Sequence, residues 1–280
     1  MRFSFRLIRA GLVMAMGIGI GGCAQNLFYQ PDRILYDVPT HLGLNFDEVS
    51  FSSRDGTQLT GWFIPAAGLA DPKQARGTVI HFHGNGQNMS AHWRFAEWLP
   101  KHGYNLFVFD YRGYGTSKGS PSVKGVFEDS LAAIDYVRQR PDIDPTRLVI
   151  FGQSLGGANA IAAVGSGDKA GVRAVLIEST FLSYSSIASD KVPGSGILMN
   201  DDYSPDRWVA AISPIPLILI HGTADQVIPY QQGEALFALA KEPKTFITVP
   251  HGLHTQAFTP KFHGAYQQQV LRLLDQILPR

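Results

Sequence analysis

One stretch constrains this chain more than any other: Leu148 to Gly157, read Leu-Val-Ile-Phe-Gly-Gln-Ser-Leu-Gly-Gly. A short β-branched and aromatic run ends at Gly152. The pentapeptide Gly152-Gln153-Ser154-Leu155-Gly156 follows as a G-x-S-x-G pattern, and the small residues Gly157 to Ala163 read as a helix. Strand, sharp turn and helix in that order are the context a nucleophile elbow requires. Ser154 would sit at a strained position above the sheet edge. Glycines two before and two after it would leave room for neighbouring backbone. The helix behind it would favour negative charge near its N-terminus. Alone, the pattern also fits a glycine-rich turn with an idle serine, so its partners decide.

The rest of the chain supplies the surroundings that such an elbow needs. Glu48–Ser52 and Gln58–Ile64 read as strands joined at Asp55-Gly56, a hairpin signal. From Thr78 the pattern changes to short buried runs at 78–82, 105–109, 174–178, 216–221 and 244–249. They are separated by helical stretches at 90–99, 123–138, 233–240 and 262–278. Strands alternating with helices predict an α/β fold with a mostly parallel central sheet, an antiparallel N-terminal hairpin and helices on both faces. In such sheets ligands bind outside the carboxyl ends of the strands. With 280 residues, 45% of them hydrophobic, the chain can bury one sizeable core. A net charge of +1 gives no electrostatic case for nucleic acid. The single cysteine, Cys23, excludes an intramolecular disulfide and a Cys/His zinc pattern.

A serine hydroxyl needs a base within hydrogen-bond reach, and the base needs an orienting acid. Asp225 follows the buried strand that breaks at Gly222, and it precedes an apolar stop at Val227-Ile228. Glu178 ends a strand and competes more weakly. Asp190, Asp201, Asp202 and Asp206 lie in a mixed polar and apolar insert and read as surface charges. The base is His254 or His251, both in the loop after the last strand; His263 falls at the start of the final helix. An oxyanion hole needs two backbone N–H donors. Leu155 offers one from the elbow. Asn85 in His83-Gly84-Asn85-Gly86 is the candidate for the other, with Gly84 the fallback.

The N-terminus reads as an address. Arg2, Arg6 and Arg9 precede an apolar, glycine-rich run from Ala10 to Gly22, too short for a convincing spanning helix. The run ends Ile20-Gly21-Gly22-Cys23, which resembles the lipobox of bacterial lipoproteins. The resemblance implies cleavage after residue 22, acylation of Cys23 and attachment to a membrane. With Ala24 following, it further implies a place in the bacterial cell envelope, at the outer membrane facing the periplasm. The expected division is a signal peptide over 1–22, a lipidated tether over 23–45 and a catalytic domain over 46–280.

Five elements together resemble the α/β-hydrolase superfamily, in its branch of serine hydrolases similar to acyl-protein thioesterases and prolyl-oligopeptidase-like domains. They are His83–Gly86, Asp110-Tyr111-Arg112-Gly113-Tyr114-Gly115, Gly152–Gly157, His221-Gly222-Thr223-Ala224-Asp225 and Gly252-Leu253-His254. The resemblance implies Ser154, Asp225 and His254 as nucleophile, acid and base, favours His254 over His251, and makes Asp110–Gly115 a structural loop beside the site. Related sequences often carry Gly-Gly-His-Asn where this chain has Gly252-Leu253-His254-Thr255. Residues 179–215 would form a small cap over Ser154, rich in residues such as Phe181, Ile187, Leu198 and Met199. An apolar cap suits an acyl substrate, and it equally suits simple packing of the cap onto the domain. The expected activity is hydrolysis of an ester or thioester through an acyl-enzyme, with no metal or organic cofactor. The alternatives are a peptidase or amidase of the same fold, and a non-catalytic envelope binding protein.

Overall fold

The computed structural model describes residues 28–279. The expected leader over 1–22 and the expected lipidation at Cys23 lie outside the described residues. In chain order the first half contains β1 (Gln30–Pro31), β2 (Asp47–Ser52), β3 (Gln58–Ile64), β4 (Thr78–Phe82), β5 (Gly86–Gln87), α1 (Met89–His92), α2 (Trp98–Lys101), β6 (Asn105–Asp110) and α3 (Val123–Arg138). The second half contains β7 (Leu148–Gln153), α4 (Leu155–Ser166), β8 (Val172–Glu178), α5 (Tyr184–Lys191), α6 (Pro205–Trp208), β9 (Leu217–Gly222), α7 (Tyr230–Leu239), β10 (Lys244–Val249) and α8 (Ala265–Ile277).

Eight strands form one sheet in the order β10-β9-β8-β7-β4-β6-β3-β2. From β10 to β6 every pairing is parallel, and β3 joins β6 and β2 antiparallel. This is the mixed sheet expected from the sequence. Its central strands are buried on both faces, which is why β4, β6 and β7 read as unbroken apolar runs instead of alternating ones. Two apolar layers result. Ile80, Phe107, Ile150 and Ile177 belong to the layer under α3 and α4. Val79, Leu106, Val149 and Leu176 belong to the layer under α2 and α8.

Three elements differ from their sequence reading. The stretch 90–99 is two short α-helical turns joined by a 3-10 turn over Trp93–Phe95, not one helix. Trp93, Ala96 and Leu99 are all buried at strict spacing of three, and a 3-10 turn aligns i with i+3. The last helix starts at Ala265, not Phe262, because His263 and Gly264 adopt φ of 51° and 78°. The stretch read as a tether leading into the domain is, from Phe28 onward, laid against it. Tyr29 is buried, and β1 pairs parallel with β5, Gln30 opposite Gly86 and Pro31 opposite Gln87. Among the described residues no helix is long and apolar enough to cross a membrane.

Candidate active site

Ser154 lies between β7 and α4 with φ 54° and ψ −123°. A non-glycine residue holds such a backbone only where its surroundings impose it. Its N–H donates to the Glu178 carbonyl at the end of β8 (2.9 Å), and its own carbonyl accepts from Thr180 Oγ1 (2.8 Å) and the Gly157 N–H (3.0 Å). The flanking glycines are required by contact. A Cβ on Gly152 would meet the Gly156 carbonyl oxygen at 2.6 Å, and one on Gly156 would run into the carbonyl oxygens of Phe82 and His83. The turn is thereby pressed against the ends of β4 and β8, with the Ser154 side chain on a cavity wall.

Leu155 is the first residue of α4, so its N–H has no acceptor within the helix and sits at the positive end of the dipole. The Asn85 N–H is oriented by its neighbour. Gly84 O accepts from His83 Nδ1 at 2.8 Å, and in a trans peptide the Asn85 N–H points to the opposite side. Asn85 lines the same cavity as Ser154 and Leu155. Its carbonyl is held by the Gln30 N–H (2.9 Å) and the Tyr114 hydroxyl (2.6 Å), and the Gly86 carbonyl by His92 Nε2 (3.0 Å). Of the two imidazoles that hold this loop, His83 is buried and His92, on α1, is half-buried. Burial lowers His83 well below the ordinary histidine value and brings His92 down to about 4, so both are neutral at pH 7.

Asp225 sits in the turn after β9. Its Oδ1 accepts the N–H groups of Val227 and Ile228, both at 2.9 Å, and its Oδ2 accepts His254 Nδ1 at 2.8 Å. His221 Nε2 lies 3.4 Å from the same Oδ2 while donating to the Ile228 carbonyl at 3.0 Å. Burial pushes this carboxyl upward, but the bonds from His221, His254 and Ile228 outweigh it and hold Asp225 well below the usual carboxylate range. The His254 Nε2 has no hydrogen-bond partner among the described residues.

His251 stands elsewhere: it is exposed, its N–H donates to Thr223 Oγ1 and its carbonyl accepts from Lys261 Nζ. His263 is exposed at the turn before α8. The competing acids of the insert have structural partners. Asp190 accepts from Gln232, Asp201 from Ser185 and Ser204, and Asp202 from Arg207, while Asp206 opens α6. Glu178 is fully buried. Its Oε2 accepts from Gln153 Nε2 (2.6 Å) and its Oε1 from the Ala257 N–H (2.8 Å). The Asp110 carboxylate accepts the Met89 N–H, and Arg112 forms a buried pair with Asp129. The loop over 110–115 is thus a brace beside the site.

Above Ser154 the insert folds as α5, a 3-10 turn over Ser195–Leu198, and α6. Between it and the elbow lies a cavity of about 600 Å³, walled by Phe28, Leu155, Phe181, Ile187, Met199 and Ile228 among others. Among the described residues its lining has one charged side chain, Lys191, whose Nζ donates to the Val227 carbonyl. Phe28 was not foreseen. It packs edge-on against Tyr184 of α5, ring centres 4.9 Å apart, so the segment before the hairpin forms part of the cavity wall. No motif marks it. Its only sequence signal is an aromatic pair, Phe28-Tyr29, in an otherwise polar stretch. Among the described residues no cluster of three or more His, Cys, Asp or Glu is placed to hold a metal ion.

Residues 73–193 match the family described as serine aminopeptidase, S33. The chain is 50% identical over 264 residues to the uncharacterized protein YfhR of Salmonella typhimurium, covering 91% of this chain and 89% of that one. It is 34% identical to the alpha/beta hydrolase domain-containing protein WAV2 of Arabidopsis thaliana, over 77% of this chain and 74% of the other. Among solved structures, the Pyrococcus furiosus esterase Pf2001 superposes with a TM-score of 0.73 at 20% identity, covering 90% of this chain and 98% of the esterase.

Proposed function

The chain belongs to the α/β-hydrolase superfamily, and from that premise we propose that it is a serine hydrolase cleaving carboxylic esters or thioesters through an acyl-enzyme. The observation that carries the reading is Ser154, held at a strained elbow on the wall of an apolar cavity, with the Asp225–His254 pair assembled from the ends of the neighbouring strands. In the proposed cycle the Ser154 Oγ attacks the acyl carbonyl while His254 Nε2 takes its proton. The Leu155 and Asn85 N–H groups receive the oxyanion; losing one such donor costs about 2.7–4 kcal/mol. Collapse breaks the C–O or C–S bond, and the leaving group departs with the proton from His254. Water then adds to the acyl-enzyme by the same route in reverse and restores Ser154. Asp225 holds the imidazole with Nδ1–H directed at itself and stabilises its charged form.

The lining supports an acyl substrate over a free peptide N-terminus. An aminopeptidase must hold an ammonium group, yet among the described residues this cavity has no carboxylate in its wall and its one charged residue is the cation Lys191. The leader and Cys23 motif support a lipid-anchored place in the cell envelope as part of the same proposal. Labelling by a fluorophosphonate, followed by a p-nitrophenyl ester series, tests the activity. Ser154→Ala should abolish labelling and cut turnover by on the order of 10⁶, the loss seen in a comparable triad. A folded wild type that neither labels nor turns over any ester would leave a binding protein on a hydrolase scaffold.

A further inference from the structure

The cap and the adjoining Asp225 turn expose apolar side chains where a soluble enzyme acting on a dissolved substrate has no need of them. Val192 is 59% exposed, Ile197 89%, Leu198 55% and Val227 49%. Val192, Leu198 and Val227 also line the cavity, so they stand around its mouth, and Ile197 belongs to the same 3-10 turn as Leu198. The apolar lining therefore continues outward onto the surface, with Lys191 and Ser195 set among these positions. Exposed apolar side chains gathered at a cavity mouth mark an interaction site.

The chain itself indicates what covers it. The described residues begin at Phe28, which is already a wall of this cavity. Five residues, Cys23 to Leu27, lead to it from Cys23, the proposed site of acylation after cleavage at residue 22. Five extended residues span at most roughly 17 Å. The membrane that holds the lipid proposed on Cys23 must then lie close to the cavity, on the side where Phe28 enters. A lipid surface meets this condition, and an acyl chain could pass from it along Val192, Leu198 and Val227 to Ser154 without crossing water.

We propose that the rim formed by Val192, Ile197, Leu198 and Val227 docks on a lipid bilayer, and that the cavity takes the acyl chain of a lipid drawn from it. The substrate half of this proposal rests on the serine-hydrolase reading; the docking half does not.

The test uses the full chain with vesicles of phosphatidylethanolamine and phosphatidylglycerol that carry a fluorogenic acyl-ester lipid, beside a soluble short-chain p-nitrophenyl ester. Ile197 is outside the cavity lining, so Ile197→Glu leaves the cavity intact. Its rate on vesicle lipid should fall about tenfold, the scale of one apolar insertion replaced by a charge. Its rate on the soluble ester should stay within about twofold of wild type, because nothing near Ser154 changes. Equal loss on both substrates, or no loss on vesicles, overturns the proposal. So does a wild type that cleaves the soluble ester but never the vesicle lipid. Hydrogen exchange on vesicles without the ester separates docking from chemistry. Slowed exchange over 192–198 is expected even in Ser154→Ala, and unchanged exchange there overturns the docking. If wild type cleaves neither substrate but residues 192–198 are protected, the hydrolase reading fails and the docking stands. Should Ile197→Glu instead disperse a dimer seen in sedimentation, with vesicle protection absent, the rim is a contact between copies and not a lipid surface.

Discussion

The ends of β8 and β9 lie side by side in the sheet, and each places a buried carboxylate within reach of the loop that carries His254. The two are held in opposite ways. Glu178 ends β8 with two neutral donors, Gln153 Nε2 and the Ala257 N–H, and burial carries its pKa up to about 7. Asp225 follows β9 with two backbone N–H groups and His254 bonded to it and His221 beside it, and these outweigh burial and depress it. Depth does not decide the charge at a strand end; the number and orientation of donors delivered by the following turn does. A permanent anion beside His254 suits the stabilisation of an imidazolium. A carboxyl near neutrality one strand away suits a packing role, and it grips the same loop three residues further on.

The largest break in this comparison comes from removing the charge at β9 while keeping its shape. In Asp225→Asn the side-chain oxygen can still accept from Val227 and Ile228, but the amide would donate to His254 Nδ1. The imidazole proton would then sit on Nε2, which could no longer accept the Ser154 proton that the proposed cycle passes to it. Turnover should fall roughly 10⁴-fold, as in a comparable triad. The pH dependence of stability follows from the same depression. Asp225 contributes stability that is present above its unfolded value of about 3.9 and is lost as pH falls toward its lower folded value. Urea unfolding should show wild type ahead of Asp225→Asn at neutral pH, with the gap closing below about pH 4. A gap independent of pH would contradict the depressed carboxyl.

At β8 the sign reverses. Between the ordinary 4.5 and about 7 the folded protein holds a proton on Glu178 that the unfolded chain releases. Stability therefore falls as pH rises through that window, by roughly 3 kcal/mol at about 1.4 kcal/mol for each pH unit. Glu178→Gln removes the titration. Gln153 can flip to present its oxygen, and His81, now bonded to Gln153 through Nε2 at 2.9 Å, can change tautomer. Burial lowers His81 to about 3, so it stays neutral throughout. The variant should gain on wild type steadily from about pH 4.5 to 7. Parallel curves would show that Glu178 is not protonated in the folded protein.

The contrast between the two ends also shows what the sequence could disclose. Ser154 was legible because Gly152 and Gly156 are forced by backbone contacts inside one turn, and the signal sits within five residues. Asp225 was legible as the single acid between a broken strand and an apolar stop. The choice between His254 and His251 needed the resemblance, since both precede the same helix; only the folded loop directs one of them to Asp225. Glu178 was read as a weak rival acid because its partner, the Ala257 N–H, is 79 residues away. The segment from Phe28 to Pro31 reads as a tether for the same reason. Its ladder with β5 is two residues long and closes across 56 residues, too short to leave a period in the sequence. The cap was legible as an insert, but its broken helices were not, because their packing is set by the elbow below them.

The smallest effect is expected at the residue that links the two ends. Ser179 follows Glu178 at φ 53°, is buried, and donates its N–H to the Ile220 carbonyl of β9 at 2.9 Å. Its hydroxyl accepts the Thr255 N–H at 3.2 Å, one residue past His254. Ser179→Ala removes that acceptor and leaves a half-buried N–H without it. An unmade bond to a buried donor costs about 1–3 kcal/mol, and the length of this one and the partial exposure of Thr255 put the loss near the lower end, about 1 kcal/mol. Because Glu178 still holds Ala257 and Asp225 still holds His254, the imidazole should shift only slightly. A few-fold fall in kcat with KM unchanged is the expected kinetic result, read on the soluble ester. A loss approaching that of Asp225→Asn would mean that β8, not β9, positions the proposed base His254, and the division of labour between the two strand ends would have to be reversed.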